Sequence, residues 1–173
     1  QLIANSFQQL ADSTFLAATK LTHWKYEVGL VEFNCWFKGA IHFDQTKFLE
    51  NFIKFSKRQI EDFGEFPEQE YHFIFLLLPF PHYHGVEHKR GTVITFGPAE
   101  RLAESSQMEE LLGVSSHELY HAWNVCRIRP SELLPYDFSK ETYTRAGWML
   151  EGITTYMGDL YLLKSGGYEP EVY

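Results

Sequence analysis

The sequence predicts an α+β fold, a small mixed sheet with helices followed by a helical lobe. Strand-like and helix-like segments alternate up to Phe96, and only helical patterns follow. The chain has 173 residues, of which 45% are hydrophobic and 17% aromatic, so it can bury one sizeable core. We therefore expect one unit with two lobes.

The N-terminal part contains one strand pattern and one helix pattern. Phe7 to Leu21 shows no clear period, whereas Trp24 to Phe33 alternates in part between apolar and polar residues, as in a half-buried strand. Residues 34–39 are either its turn or its continuation. Asp44 is a suitable helix N-cap, and Gly64 a suitable residue after the last turn. Between them, apolar residues recur at helical spacing, at Phe48, Leu49, Phe52, Ile53, Phe55, Ile60 and Phe63.

The middle of the chain predicts three strands. Tyr71 to Leu78 is almost entirely apolar, which is typical of a strand covered on both faces. Pro79 and Gly85 enclose a segment rich in histidine and aromatic residues, which we interpret as a loop. Val86 to His88 and Thr92 to Phe96 follow as short strands.

The last part of the chain predicts helices. Ala99 to Leu112 is the first, and Gly113 separates it from a second, Val114 to Cys126. Prolines make residues 127–139 a loop. Lys140 to Lys164 has a long helical pattern, which the following glycine pair ends.

Charge and cysteine content narrow the function classes. A formal net charge of −8 argues against a nucleic-acid surface, which is normally basic. The longest apolar run, Phe73 to Leu78, is too short to span a membrane. Cys35 and Cys126 could pair, but two buried thiols are the simpler interpretation, and the compartment stays undecided.

The pattern that carries chemistry is His117-Glu118-Leu119-Tyr120-His121, which reads H-E-x-x-H. Two histidines four residues apart lie on one face of a helix and can bind one metal ion. Glu118 can then take a proton from a metal-bound water. The alternative is a helix whose histidines are ordinary surface or core residues. We favour a single zinc ion.

A hydrolytic zinc site needs a third protein ligand and an open position for water. Glu151 is an acidic residue in an otherwise apolar helical stretch, where a carboxylate is costly unless it is paired or bound to metal. The alternative is a glutamate on the solvent face of an amphipathic helix. Tyr143 and Tyr156 are nearby oxyanion-donor candidates, and the sequence selects neither.

Longer blocks around these residues carry a family resemblance. His117 to Pro130 contains H-E-x-x-H and then W-N-V-x-R-I-R-P, and Glu151 to Thr154 reads E-G-x-T. Upstream, Gly85 to His88 reads G-x-E-H. In this order the blocks resemble the glycyl aminopeptidase family of zinc metallopeptidases, and the resemblance covers most of the chain.

The resemblance implies a thermolysin-like catalytic domain of the glutamate-zincin type. The order of elements places the metal site where the two lobes join. It implies His117, His121 and Glu151 as ligands and Glu118 as general base. It also implies that Glu87 on an edge strand, with Gly85 and His88 beside it, binds the free amine of a peptide. For Glu87 the alternative is a surface residue that pairs with a neighbouring Lys or Arg.

We therefore expect a zinc aminopeptidase that removes N-terminal Gly or Ala from peptides with a free N-terminus. The alternatives are a zinc endopeptidase and a non-catalytic interaction module with the same fold. Residues 1–173 are expected to form a single catalytic domain, excerpted from a longer protein, because the family's N-terminal β domain and C-terminal PDZ-like domain are absent. Oligomeric state and localisation, cytoplasmic or secreted, stay open.

Overall fold

A five-stranded mixed sheet forms the first part of the molecule, and two long helices follow it. The computed structural model describes residues 3–135, 137 and 139–170. The strands are β1 (Thr22–Val28), β2 (Val31–Lys38), β3 (Glu70–Leu77), β4 (His82–His88) and β5 (Gly91–Gly97). The helices are α1 (Phe7–Asp12), α2 (Gln45–Phe63), α3 (Ser105–Tyr120) and α4 (Ile153–Ser165). The predicted α+β class with a mixed sheet is confirmed.

The sheet has the strand order β1-β2-β3-β5-β4. β2, β3 and β5 run parallel, while β1 and β4 are antiparallel to their neighbours. β4 therefore lies at an edge, where one side of its backbone is not paired within the sheet. In its register with β5, Gly85 lies opposite Ile94 and Glu87 opposite Thr92.

Helix α2 covers one face of the sheet through an aromatic core. Asp44 accepts a hydrogen bond from the backbone N–H of Lys47 at 2.8 Å, and Gly64 ends the helix in the left-handed conformation at φ 86°. Both predicted ends of α2 are confirmed. The fully buried aromatic residues at this contact are Phe33, Phe37, Phe48, Phe52, Phe55, Phe73 and Phe75.

Two predicted boundaries in the sheet are wrong. The strand expected over Trp24 to Phe33 is a hairpin, because the chain turns at Gly29 and Leu30 between β1 and β2. Residues 34–38 continue β2. The segment expected as a loop between Pro79 and Gly85 contains the first half of β4. Its side chains lack apolar alternation because they are largely exposed at the edge, and the strand is formed by backbone pairing with β5.

Helix α3 differs from the prediction at both ends. Ala99–Ala103 is a separate 3₁₀ turn, and α3 then runs through Gly113 without interruption to Tyr120. Gly113 lies against Tyr168, since a Cβ atom there would come within 2.7 Å of the Tyr168 hydroxyl unless that side chain moved. The chain leaves the helix at His121, well before the predicted end.

The last helix, α4, is shorter than the helix predicted over Lys140 to Lys164. Residues 140–146 are not helical, and a single π-helical turn, Trp148–Gly152, leads into α4. Gly166 ends α4 at φ 71°. α4 packs closely on α3 at Gly158, where an added Cβ would lie 3.0 Å from the Cα of His117. The predicted loop 127–139 includes residues 136 and 138, which lie outside the described residues.

Two further expectations concern the cysteines and the membrane. Cys35 and Cys126 are both free and buried, as the simpler interpretation predicted. Of the helices that the structure describes, none is long and apolar enough to cross a membrane.

Candidate metal centre

The three predicted metal ligands lie together. His117 is in the last turn of α3, His121 caps that helix, and Glu151 comes from the π-helical turn before α4. The Nε2 atoms of His117 and His121 are 3.0 Å apart. A carboxylate oxygen of Glu151, Oε2, lies 3.4 Å from the first and 3.6 Å from the second.

This triangle of donor atoms fits a tetrahedral zinc ion. Zinc ligands at about 2.0–2.2 Å in tetrahedral geometry are separated from one another by about 3.3–3.6 Å. The three separations, 3.0, 3.4 and 3.6 Å, are close to that range. Two nitrogens and one carboxylate oxygen are also the donor set of hydrolytic zinc, with the fourth position left for water.

The histidine rings are oriented by hydrogen bonds at their other nitrogens. His121 Nδ1 lies 2.8 Å from the backbone carbonyl oxygen of Asn124, and His117 Nδ1 lies 3.3 Å from the hydroxyl of Thr155. A carbonyl oxygen only accepts, so the proton of His121 is on Nδ1 and its Nε2 carries a lone pair. Burial, with the neighbouring His121, lowers the pKa of His117 and favours its neutral form. Two imidazole nitrogens 3.0 Å apart suit a shared cation.

Glu118 lies beside the donor triangle but is not one of its corners. Its side chain comes from α3, and the residue is 3% exposed. The hydroxyl of Thr92 is 3.2 Å from its Oε2 atom and 2.9 Å from the carbonyl oxygen of Val86. Burial, and then the nearby carboxylate of Glu87, raises the pKa of Glu118 to about 8. A bound cation would counter this shift and favour the carboxylate.

Gly85 allows β4 to pass directly over Glu118. A Cβ atom at position 85 would lie 2.1 Å from Oε1 of Glu118 and 2.5 Å from its carboxyl carbon. Any other residue at this position forces the Glu118 carboxylate to move. The glycine of the G-x-E-H segment therefore sets the position of the proposed base.

We expect Gly85→Ala to lower kcat at least ~10²-fold, because a displacement of about 1 Å in a reacting group has an effect of that size. Folding should change little, since the displaced atoms belong to the end of one side chain. Gly147→Ala is the matched control, because a Cβ there has no heavy atom within 4 Å. Steady-state kinetics and thermal melts of both variants measure this. Normal turnover in Gly85→Ala would contradict the role.

Glu87 and His88 point to opposite faces of β4. Carboxylate oxygens of Glu87 and Glu118 and a ring nitrogen of His121 lie within 4.8 Å of one another, so Glu87 joins the cluster. His88 does not join it. Its Nδ1 lies 3.5 Å from a carboxylate oxygen of Asp12 in α1, as expected from the alternation of side chains along a strand.

The loop after α3 is held in a strained conformation. Val125 has φ 117°, which is rare for a β-branched residue and costs about 1–3 kcal/mol. Arg129 donates from Nε to the carbonyl oxygen of Val125 at 2.7 Å, and Arg127 pairs with Glu68. The two arginines brace the loop that follows His121.

A cleft of about 640 Å³ contains these groups. Four carboxylates line it, those of Glu87, Glu118, Glu151 and Asp159, and no Lys or Arg does so among the described residues. Tyr143 is 81% exposed and Tyr156 58% exposed, and neither lines the cleft, whereas Tyr83 does. The acidic lining suits a cationic group such as a free α-amine.

Sequence reasoning did not single out Tyr83, Thr92 or Asp159. Thr92 was only part of an apolar strand pattern, and Tyr83 belonged to the segment interpreted as a loop. The position of Asp159, eight residues or about two helical turns after Glu151 in the predicted helical pattern, was the one available signal.

Comparison with known proteins points in the same direction. Residues 110–173 match the family described as M61 glycyl aminopeptidase, and this segment contains both histidines, Glu118 and Glu151. The resemblance to the glycyl aminopeptidase family is thereby confirmed for these residues, whereas the G-x-E-H segment at Gly85 to His88 lies outside the matched range. A search of curated protein sequences found no match.

Two solved structures share the fold. An aminopeptidase N family protein from Idiomarina loihiensis superposes with a TM-score of 0.78 at 27% sequence identity, over 86% of this chain. An M1 zinc metallopeptidase from Deinococcus radiodurans superposes with a TM-score of 0.51 at 16% identity, also over 86%. This chain spans 26% of the first protein and 30% of the second.

Proposed function

We propose that this chain is the catalytic domain of a zinc-dependent aminopeptidase that hydrolyses the N-terminal peptide bond of peptides. His117, His121 and Glu151 would hold one zinc ion, Glu118 would act as the general base, and Glu87 would bind the substrate's ammonium group. The observation that carries the proposal is the triangle of donor atoms, with separations of 3.0, 3.4 and 3.6 Å.

The reaction divides between the metal and the side chains. Zinc, when bound, lowers the pKa of a water ligand to about 7 and polarises the scissile carbonyl. The carboxylate of Glu118 takes the proton of the attacking water and passes it to the leaving amine. The contact of Glu118 with Thr92, and the close approach of Gly85, hold that carboxylate in one place.

The position of Glu87 supports removal of a single residue. In an amino acid the amine nitrogen is about 2.5 Å from its own carbonyl carbon. An anchor bound to that amine must therefore lie close to the metal and the base. Glu87 meets this condition, because its carboxylate is within 4.8 Å of both Glu118 and a ring nitrogen of His121. A preference for N-terminal Gly or Ala is inferred from the family.

Metal analysis and a peptide assay test the proposal directly. The purified full-length protein should contain about one zinc per chain, as a single tetrahedral site predicts. It should release glycine from short glycyl peptides, and removal of zinc with a chelator should abolish the release until zinc is restored. A metal-free protein that hydrolyses no peptide would refute the proposal and would support an interaction module.

Replacing Glu87 by Gln should lower kcat/KM for peptides with a free amine ~10–100-fold, because a charge-assisted hydrogen bond contributes roughly 1.5–3 kcal/mol. The same change should have little effect on any residual cleavage of N-acetylated peptides. Glu27→Gln, at an exposed position on β1, is the matched control. Equal loss on both substrates would show that Glu87 does not bind the amine.

A zinc endopeptidase is the second candidate, and one observation favours it. Glu87 lines the catalytic cleft and also a second groove of about 1150 Å³, which extends towards α1 and the 125–129 loop. A longer peptide could continue past Glu87 into that groove. Cleavage of N-acetylated peptides at the rate of free ones would support the endopeptidase.

A further inference from the structure

Asn124 is a buried residue in the W-N-V-x-R-I-R-P block that the mechanism above does not use. It lies in the loop after α3, three residues after His121, and is 6% exposed. Its backbone and its side chain contact the two separate segments that carry the metal ligands.

The backbone carbonyl of Asn124 accepts the Nδ1 proton of His121 at 2.8 Å. This bond fixes the tautomer and the ring orientation, so that the Nε2 lone pair faces the metal position. The same backbone segment is tied to the helix end, because the N–H of Asn124 donates to the carbonyl of Tyr120 at 3.1 Å.

The side-chain amide of Asn124 reaches the other segment. Its Nδ2 donates to the carbonyl oxygen of Leu150 at 3.1 Å and to the hydroxyl oxygen of Thr154 at 2.9 Å. Thr154, itself fully buried, donates to the same Leu150 carbonyl at 2.5 Å. The Leu150 carbonyl belongs to the peptide unit that leads into Glu151, so this group of three hydrogen bonds holds the backbone of the third ligand.

We propose that Asn124 is a positioning residue that sets the separation between the histidine pair and Glu151. Among the described residues of the loop after α3, which orients His121, only Asn124 has a side chain that hydrogen-bonds to the Leu150–Glu151 peptide unit. Glu151 needs such support, because its side chain is 62% exposed and cannot be held by close packing. This inference rests on the metal site of the proposed function.

The test is zinc affinity, measured by competition with a chromophoric chelator on the full-length protein. Asn124→Asp is almost isosteric but replaces the NH₂ donor with an acceptor facing the Leu150 carbonyl. Asn124→Ala removes the side-chain contacts and keeps the backbone carbonyl that His121 uses. Both variants should bind zinc about 10–100-fold more weakly, the range found when the outer partners of metal ligands are lost. In the cobalt-substituted protein, the visible spectrum should shift for both.

The control separates positioning from general stability. Ser56→Ala removes one buried hydrogen bond, to the hydroxyl of Tyr26 at 2.9 Å, in the contact between α2 and β1. It should lower the melting temperature and leave the zinc affinity and the cobalt spectrum unchanged.

Wild-type zinc affinity in a folded Asn124→Asp or Asn124→Ala variant would overturn the inference. The same loss of affinity in Ser56→Ala would also overturn it, because the effect would then follow stability alone. If only one Asn124 variant folds, that variant decides the result. If the wild-type protein itself bound no zinc, the proposed metal site would be refuted. That result differs from wild-type zinc affinity in an Asn124 variant, which would refute only the role of Asn124.

Discussion

Replacing Glu118 by Gln is expected to lower kcat ~10²–10⁴-fold, the usual contribution of a general base, while zinc stays bound. Gln keeps the size of the side chain and a contact to Thr92 but cannot accept the proton of water. His117, His121 and Glu151 are unchanged, so metal content should be unchanged. Metal analysis and steady-state kinetics on the same preparation measure both quantities.

The melting temperature of the metal-free protein is a second property to measure for Glu118→Gln. Burial, and then Glu87, raises the pKa of Glu118 to about 8, so the charged carboxylate is disfavoured in the metal-free protein. The neutral amide should therefore keep or raise the melting temperature of the metal-free form at neutral pH. Glu110→Gln, exposed on the same helix, is the control for both measurements. Wild-type turnover in Glu118→Gln would remove this residue from the mechanism.

Replacing Glu151 by Ala is expected to remove most of the zinc and, with it, all measurable peptidase activity. The two histidines would remain, but a site with two protein ligands lacks the set of three that holds hydrolytic zinc. We expect zinc affinity to fall by more than ~100-fold, beyond the effect of losing an outer partner. Equilibrium dialysis against zinc buffers measures this directly.

The fold of the Glu151→Ala variant should be preserved, because the Glu151 side chain is 62% exposed and packs little. Circular dichroism of the metal-free protein checks this point. Glu50→Ala, at an exposed position on α2, is the matched control and should bind zinc normally. Full zinc occupancy in Glu151→Ala would mean that the third ligand is another group, for which Glu87, within 4.8 Å of a His121 ring nitrogen, is a candidate.

Local patterns predicted the parts of the fold that depend on neighbours in sequence. The two ends of α2 followed from an N-cap aspartate and a glycine at a left-handed position, both short-range effects. The spacing of His117 and His121 fixed their common helix face. Sequence patterns gave the wrong element boundaries where contacts between distant parts of the chain determine the structure. Gly113 lies inside α3 without ending it, in contact with the distant Tyr168, and β4 forms by pairing with β5.

From the sequence alone came the three candidate ligands, the base, the mixed α+β class and the family resemblance, because residue type and spacing carry that information. The tertiary structure decided which groups meet. It brought Glu151 next to the histidine pair and put Glu87 near Glu118, with His88 on the other face of β4. It also placed Gly85 against the Glu118 carboxylate and gave Asn124 contacts to both ligand segments. These depend on how distant segments pack, which no local pattern records.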